Sequence, residues 1–124
     1  MSAWMESVSG VKSMSRKRLT TITTLLAIVL TARLGTIQFE GHKETWYDLD
    51  MANVVARSDR DLGVSDLYWI RDDGCKMYGP WIILASHESV DRYSLVETSL
   101  GTGIVLDRHT TGDPNLYDIA VDWR

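Results

Sequence analysis

The stretch "GTGIVLDRHTTGDPNLYDIAVDW", residues 101–123, holds two short apolar runs, 104–106 and 119–121, and each has an aspartate at its edge. Asp107 ends the first run and Asp118 precedes the second, eleven positions later. Short apolar runs bounded by Gly, Asp and Pro are the mark of buried strands. Whether the two carboxylates meet therefore depends on how these strands are laid together.

Upstream, the same texture repeats. "HKETWYDLD" (42–50) alternates as a strand does, and "DLYWIRDDG" (66–74) and "KMYGPWIILAS" (76–86) flank an Asp72–Asp73–Gly74 turn, a strong hairpin signal between β-prone runs. "SLVETS" (94–99) supplies one more strand ahead of the two in the opening stretch. Between the first two runs, Met51, Val54, Val55 and Leu62 recur at helical spacing, with Asp50 placed as N-cap and Gly63 just past the end, so a helix is expected over 51–61. Six short strands with one helix and turns every ten or so residues point to a small barrel, not to a doubly wound parallel sheet.

The chain has 124 residues and 44% apolar content, room for one modest core. Its charge is lopsided: residues 1–43 carry six Lys/Arg against two Asp/Glu, and residues 44–124 carry seven against fifteen. An acidic body lacks the clustered cations that phosphate backbones require, so nucleic acid is not an expected partner. Cys75 is alone, which excludes an internal disulfide and any Cys/His zinc pattern, and it reads as a small buried apolar residue.

The basic end has its own organisation. Arg16, Lys17 and Arg18 precede an uncharged run over residues 19–32, which Arg33 closes. A spanning helix needs about 20 apolar residues, and a run of this length better suits the hydrophobic region of an export signal. Met14 would give a chain that starts with those charges. Residues 1–34 are therefore expected to be an export signal or an uncleaved membrane anchor, and residues 35–124 the folded domain. The alternative is a buried core helix, which five threonines in the run oppose.

Three segments carry a family resemblance: "YWIRDDG" with "KM" two positions on, "SLVETSLGTGIVLD", and "DIAVDW". Over residues 44–124 the chain resembles the three-aspartate (3D) domains of exported bacterial proteins, which are double-psi β-barrels related to membrane-bound lytic murein transglycosylase A and rare lipoprotein A. The resemblance implies a mainly β fold, a six-stranded double-psi β-barrel with one short helix, in which Asp107 and Asp118 share a cleft between crossed strands. It also implies an exported cell-envelope protein that cleaves peptidoglycan glycan strands as a lytic transglycosylase does. Asp118 would be the acid and base, with Asp107 as its electrostatic and hydrogen-bonding partner; no cofactor and no metal are implied. Membrane contact would come only through the leader.

A carboxylate pair suits that chemistry. An isolated aspartate is almost wholly ionised at neutral pH, whereas two neighbouring carboxyls disfavour double ionisation, so that one can hold a proton for the leaving oxygen. The same group can then take the proton of the sugar's 6-hydroxyl as an anhydro ring closes. Where the family has Asp-Thr-Gly this chain has Asp107, Arg108 and His109, and the first family aspartate, expected just after "IILAS", gives way to His87, Glu88 and Ser89. An arginine lying across the pair would favour the alternative, a non-catalytic barrel that binds cell-wall glycan or an envelope protein. Other readings are simpler: strand-end carboxylates satisfied by backbone N–H groups, or a metal held by Asp107, His109 and His87, for which spacing fixes no third ligand. The tryptophans Trp46, Trp69, Trp81 and Trp123 are core candidates, Trp69 and Trp81 beside the Asp-Asp-Gly turn.

Overall fold

The computed structural model describes residues 35–123; the leader expected at residues 1–34 lies outside them, as does Arg124. The described chain is mainly β, with strands β1 (Ile37–Phe39), β2 (His42–Tyr47), β3 (Tyr68–Ile70), β4 (Lys76–Tyr78), β5 (Trp81–Ser86), β6 (Leu95–Thr98), β7 (Gly101–Arg108) and β8 (Leu116–Ala120), and one helix, α1 (Ala52–Leu62). Each run read as a strand contains one. The count is eight and not six for two local reasons. Gly79, at φ 62°, and Pro80 break the long run 76–86 into β4 and β5, which pair back on each other as Tyr78 faces Trp81. Ahead of β2, Glu40 and Gly41 at positive φ turn β1 back onto it.

The helix begins one residue later than the reading. Met51 occupies the N-cap position without a side-chain bond, and Asp50 instead accepts the Ala52 N–H at 2.9 Å. Gly63 ends α1 in the left-handed conformation, where a Cβ would be strained. The Asp72–Asp73–Gly74 turn joins β3 to β4 as expected, with Gly74 at φ 90°.

The strands form one mixed sheet in the order β1-β2-β8-β5-β4-β3, with β7 paired to β5 and β6 to β7. β2 with β8 and β5 with β7 run parallel, and the other pairs antiparallel. Central β5 meets β7 along one edge, while the other edge is shared in succession by β4 and β8. Alternation along the strands divides the apolar side chains into two layers. Trp46, Cys75, Met77, Ile82, Leu84, Leu100, Ile119 and Val121 make one core; Met51, Tyr78, Ile83, Ile104, Leu106 and Ala120 make the other, on which Val54 and Val55 of α1 pack. Trp81 joins the helix-side layer, whereas Trp69 is 47% exposed and no core residue.

The sheet is strongly curled. Two strands, β8 and β5, stand between β2 and β7, so a flat sheet would separate β2 from β7 by three rungs, roughly 14 Å. Tyr47 of β2 nevertheless hydrogen-bonds Asp107 of β7. From the same strand, fully buried Glu44 reaches the β6–β7 turn, where it accepts the Ser99 N–H at 3.1 Å and the Ser99 hydroxyl. His42 supplies a further donor to Glu44 at 2.7 Å, so the buried carboxyl is satisfied by hydrogen bonds, as burial demands.

Candidate functional site

The site is organised around Ala85. On one edge of β5, Ala85 is the register partner of Asp107; on the other, it is the partner of Asp118. The two aspartates singled out in the sequence thus flank one small side chain. Their Cα atoms stand two rungs apart, about 9 to 10 Å by strand spacing.

A register shift produces this arrangement. β5 and β7 pair residue for residue from Ile82 with Gly103 through Leu84 with Val105, and the next pair is Ala85 with Asp107. Leu106 is the extra residue of a β-bulge. Regular pairing would have set Leu106 against Ala85 and Asp107 against Ser86, on the opposite face of the sheet. Simple alternation from residue 104 onward misses this shift.

Two residues of β2 complete the site, and sequence reasoning did not find them. In the parallel β2–β8 register Thr45 stands beside Asp118, and its hydroxyl donates to Asp118 Oδ1 at 2.8 Å. Tyr47, two residues on and therefore on the same face, donates its hydroxyl hydrogen to Asp107 Oδ2 at 3.2 Å. Burial, followed by the charge and hydrogen bond of Asp107 and the charge of Asp118, pushes the Tyr47 phenol far above the ordinary tyrosine range. Tyr47 is therefore a neutral O–H donor at physiological pH. The signal was present in the alternation of "HKETWY", but its partners lie 60 and 73 residues away in sequence.

Arg108 does not lie across the pair. Its backbone N–H donates to Asp107 Oδ1 at 2.9 Å, while the guanidinium turns to the loop after β5 and donates through Nη1 to Ser86 Oγ (2.8 Å), His87 O (3.1 Å) and Val90 O (2.6 Å). The segment where the first family aspartate was expected is thus a turn clamped by Arg108. The alternative in which the arginine covers the aspartates is not the geometry found.

The histidines considered as metal ligands are held by local bonds. His109 donates from Nε2 to Leu116 O at 2.7 Å and meets the Thr111 hydroxyl at Nδ1, 3.1 Å away. His87 accepts the Ser89 N–H at Nδ1, 3.1 Å away, and its ring centre is 6.5 Å from that of His109. Among the described residues no group of three or more His, Cys, Asp or Glu is arranged to hold a metal ion. Cys75 is fully buried, and burial with the neighbouring Asp73 charge pushes its thiol up to about 12, the state of an unreactive core residue.

What this arrangement can do is bounded by its parts: two half-buried carboxyls, a neutral phenol donating to one of them, and a threonine hydroxyl fixing the other. Such a set can hold and move a proton at a bound polar ligand. Compared with protein-family models, with curated proteins and with solved structures, the chain finds no match in any of the three.

Proposed function

We propose that the protein is an exported cell-envelope enzyme that cleaves peptidoglycan glycan strands in the manner of a lytic transglycosylase, on a double-psi barrel of the three-aspartate kind. One observation carries the reading: Asp107 and Asp118, chosen from sequence, are the two register partners of Ala85 and stand on one face with Tyr47. The curl of the sheet and its two parallel pairs support the barrel. The basic, apolar leader supports export.

In this mechanism the Asp118 carboxyl protonates the glycosidic oxygen as the bond to the anomeric carbon breaks. The resulting carboxylate then takes the proton of the same sugar's 6-hydroxyl while that oxygen closes on the anomeric carbon. Water is not consumed and the acid is regenerated. Thr45 orients Asp118 from below. Asp107, steadied by Tyr47 and the Arg108 N–H, supplies negative charge beside the cationic sugar of the transition state.

A second reading draws on those same bonds. Both aspartates already accept hydrogen bonds within the fold, the state of carboxylates that bind sugar hydroxyls without transferring protons. Incubating the full-length protein with purified peptidoglycan and analysing the soluble products by mass spectrometry separates the two. Anhydro-sugar ends that vanish with Asp118→Asn are the expected result; retention on the glycan with no product would establish the binder and end the enzyme reading.

A further inference from the structure

We propose that Arg57, on α1, is a positioning residue for Asp107: it holds the β7 bulge that sets this carboxyl beside Asp118, an inference that rests on the site described above. Arg57 Nη2 donates to the carbonyl oxygen of Leu106, the extra residue of the bulge. A bulge interrupts the ladder and leaves its extra residue in need of another partner, and a charged guanidinium is among the strongest donors available. The Leu106 side chain is fully buried in the helix-side core, so the residue is gripped at both ends.

The outer edge of β7 is tied to the same helix. Val105 exchanges backbone bonds with the 93–94 segment, its N–H donating to Ser94 O at 3.0 Å and its carbonyl accepting the Tyr93 N–H at 2.6 Å. Tyr93 has a positive φ of 73° and donates its hydroxyl to Asp61 of α1. Arg57 and Asp61 are one helical turn apart and face the same way. One helix thus grips the bulge directly through Arg57 and its flanking residue through Asp61 and Tyr93. Without the Arg57 bond, β7 has a regular alternative in which Leu106 faces Ala85 and Asp107 turns to the other side of the sheet.

The test reads register in the labelled full-length chain by NMR, before any glycan is added. Arg57→Met should lose or markedly weaken the cross-strand contact between Ala85 and Asp107 and gain one between Ala85 and Leu106, leaving the contact between Ala85 and Asp118 intact. Arg57→Lys, which keeps a charged donor, should largely restore the original register. With peptidoglycan, kcat should fall roughly tenfold or more in Arg57→Met with KM unchanged, as misplacement of a reacting group causes. In the unaltered protein the Arg57 Nη protons should exchange slowly and correlate with the Leu106 carbonyl carbon. An Arg57→Met protein with the original contacts overturns the proposal, as does an Arg57 side chain that exchanges as freely as one in solvent; the second result decides even if the variant does not fold. Register that follows Arg57 in a protein releasing no anhydro sugar would sink the enzymatic reading alone.

Discussion

Tyr47 donates its hydroxyl hydrogen to Asp107 across 3.2 Å, joining β2 to β7 although the two residues are 60 positions apart in sequence. The bond bridges the two strands and ends on a site carboxyl. Removing it with Tyr47→Phe leaves the ring packing in place and takes one donor from Asp107. A hydrogen bond to a charged group is worth about 1.5 to 3 kcal/mol, so thermal unfolding should shift down by an amount of that order. An unchanged melting temperature would show that the bond does not tie β2 to β7.

Alkaline pH offers a second handle. Tyr47 and Tyr78 both have phenols raised above the ordinary range, Tyr47 by burial and then Asp107, Tyr78 by burial and then its 2.6 Å bond to Asp59. Below about pH 10 these phenols are protonated whether the chain is folded or unfolded, and their contribution to stability is complete. Above that, only the unfolded chain can ionise them, so stability is lost as pH rises towards the folded values. Denaturant midpoints measured from pH 8 to 11 should fall beyond about pH 10, and fall less steeply in Tyr78→Phe.

These bonds also show what the sequence did and did not reveal. Alternation, the Asp-Asp-Gly turn and Gly63 made the strands, the β3–β4 hairpin and the helix legible, because each is written in neighbouring residues. The Gly79–Pro80 break is written in the sequence as a turn dipeptide, and reading 76–86 as one strand passes over it. Asp107 and Asp118 were found through resemblance, yet the bulge at Leu106 that makes them neighbours leaves no period-2 trace. Thr45 and Tyr47 escaped because parallel pairing of β2 with β8 joins segments some 73 residues apart. The direction of Arg108 depends on the Ser86 and Val90 acceptors, which no local pattern announces.

Gly103, the second glycine of Gly-Thr-Gly, is required by packing. A Cβ there would lie 2.5 Å from Leu84 Cδ1 and 2.6 Å from its Cγ, in the middle of the β5–β7 contact. Overfilling a core of this kind costs about 1 to 3 kcal/mol. Gly103→Ala should lower stability by that amount, measured by chemical denaturation, and Gly103→Ala with Leu84→Ala should recover part of the fold's uniqueness, visible as sharper NMR spectra than the single variant gives.

Arg108 is expected to matter for stability and not as a brake on the aspartates. Replacing it with Thr removes three acceptor contacts on the 86–90 loop. The loss should be about 1.5 to 3 kcal/mol with faster amide exchange over residues 86–90, since bonds from a charged donor are at stake. A gain in glycan cleavage without loss of stability would mean that the arginine does restrain the site.

The most direct test of the site as a unit is the rate of anhydro-sugar release by the unaltered protein, Asp118→Asn, Asp107→Asn and the double variant. Residues that act on one reacting bond are strongly non-additive. Asp118→Asn should abolish release, Asp107→Asn should reduce it severely, and the double variant should be no worse than Asp118→Asn, with the circular dichroism of all four alike. Release by Asp118→Asn at the unaltered rate, or no release by any of the four, would contradict the account.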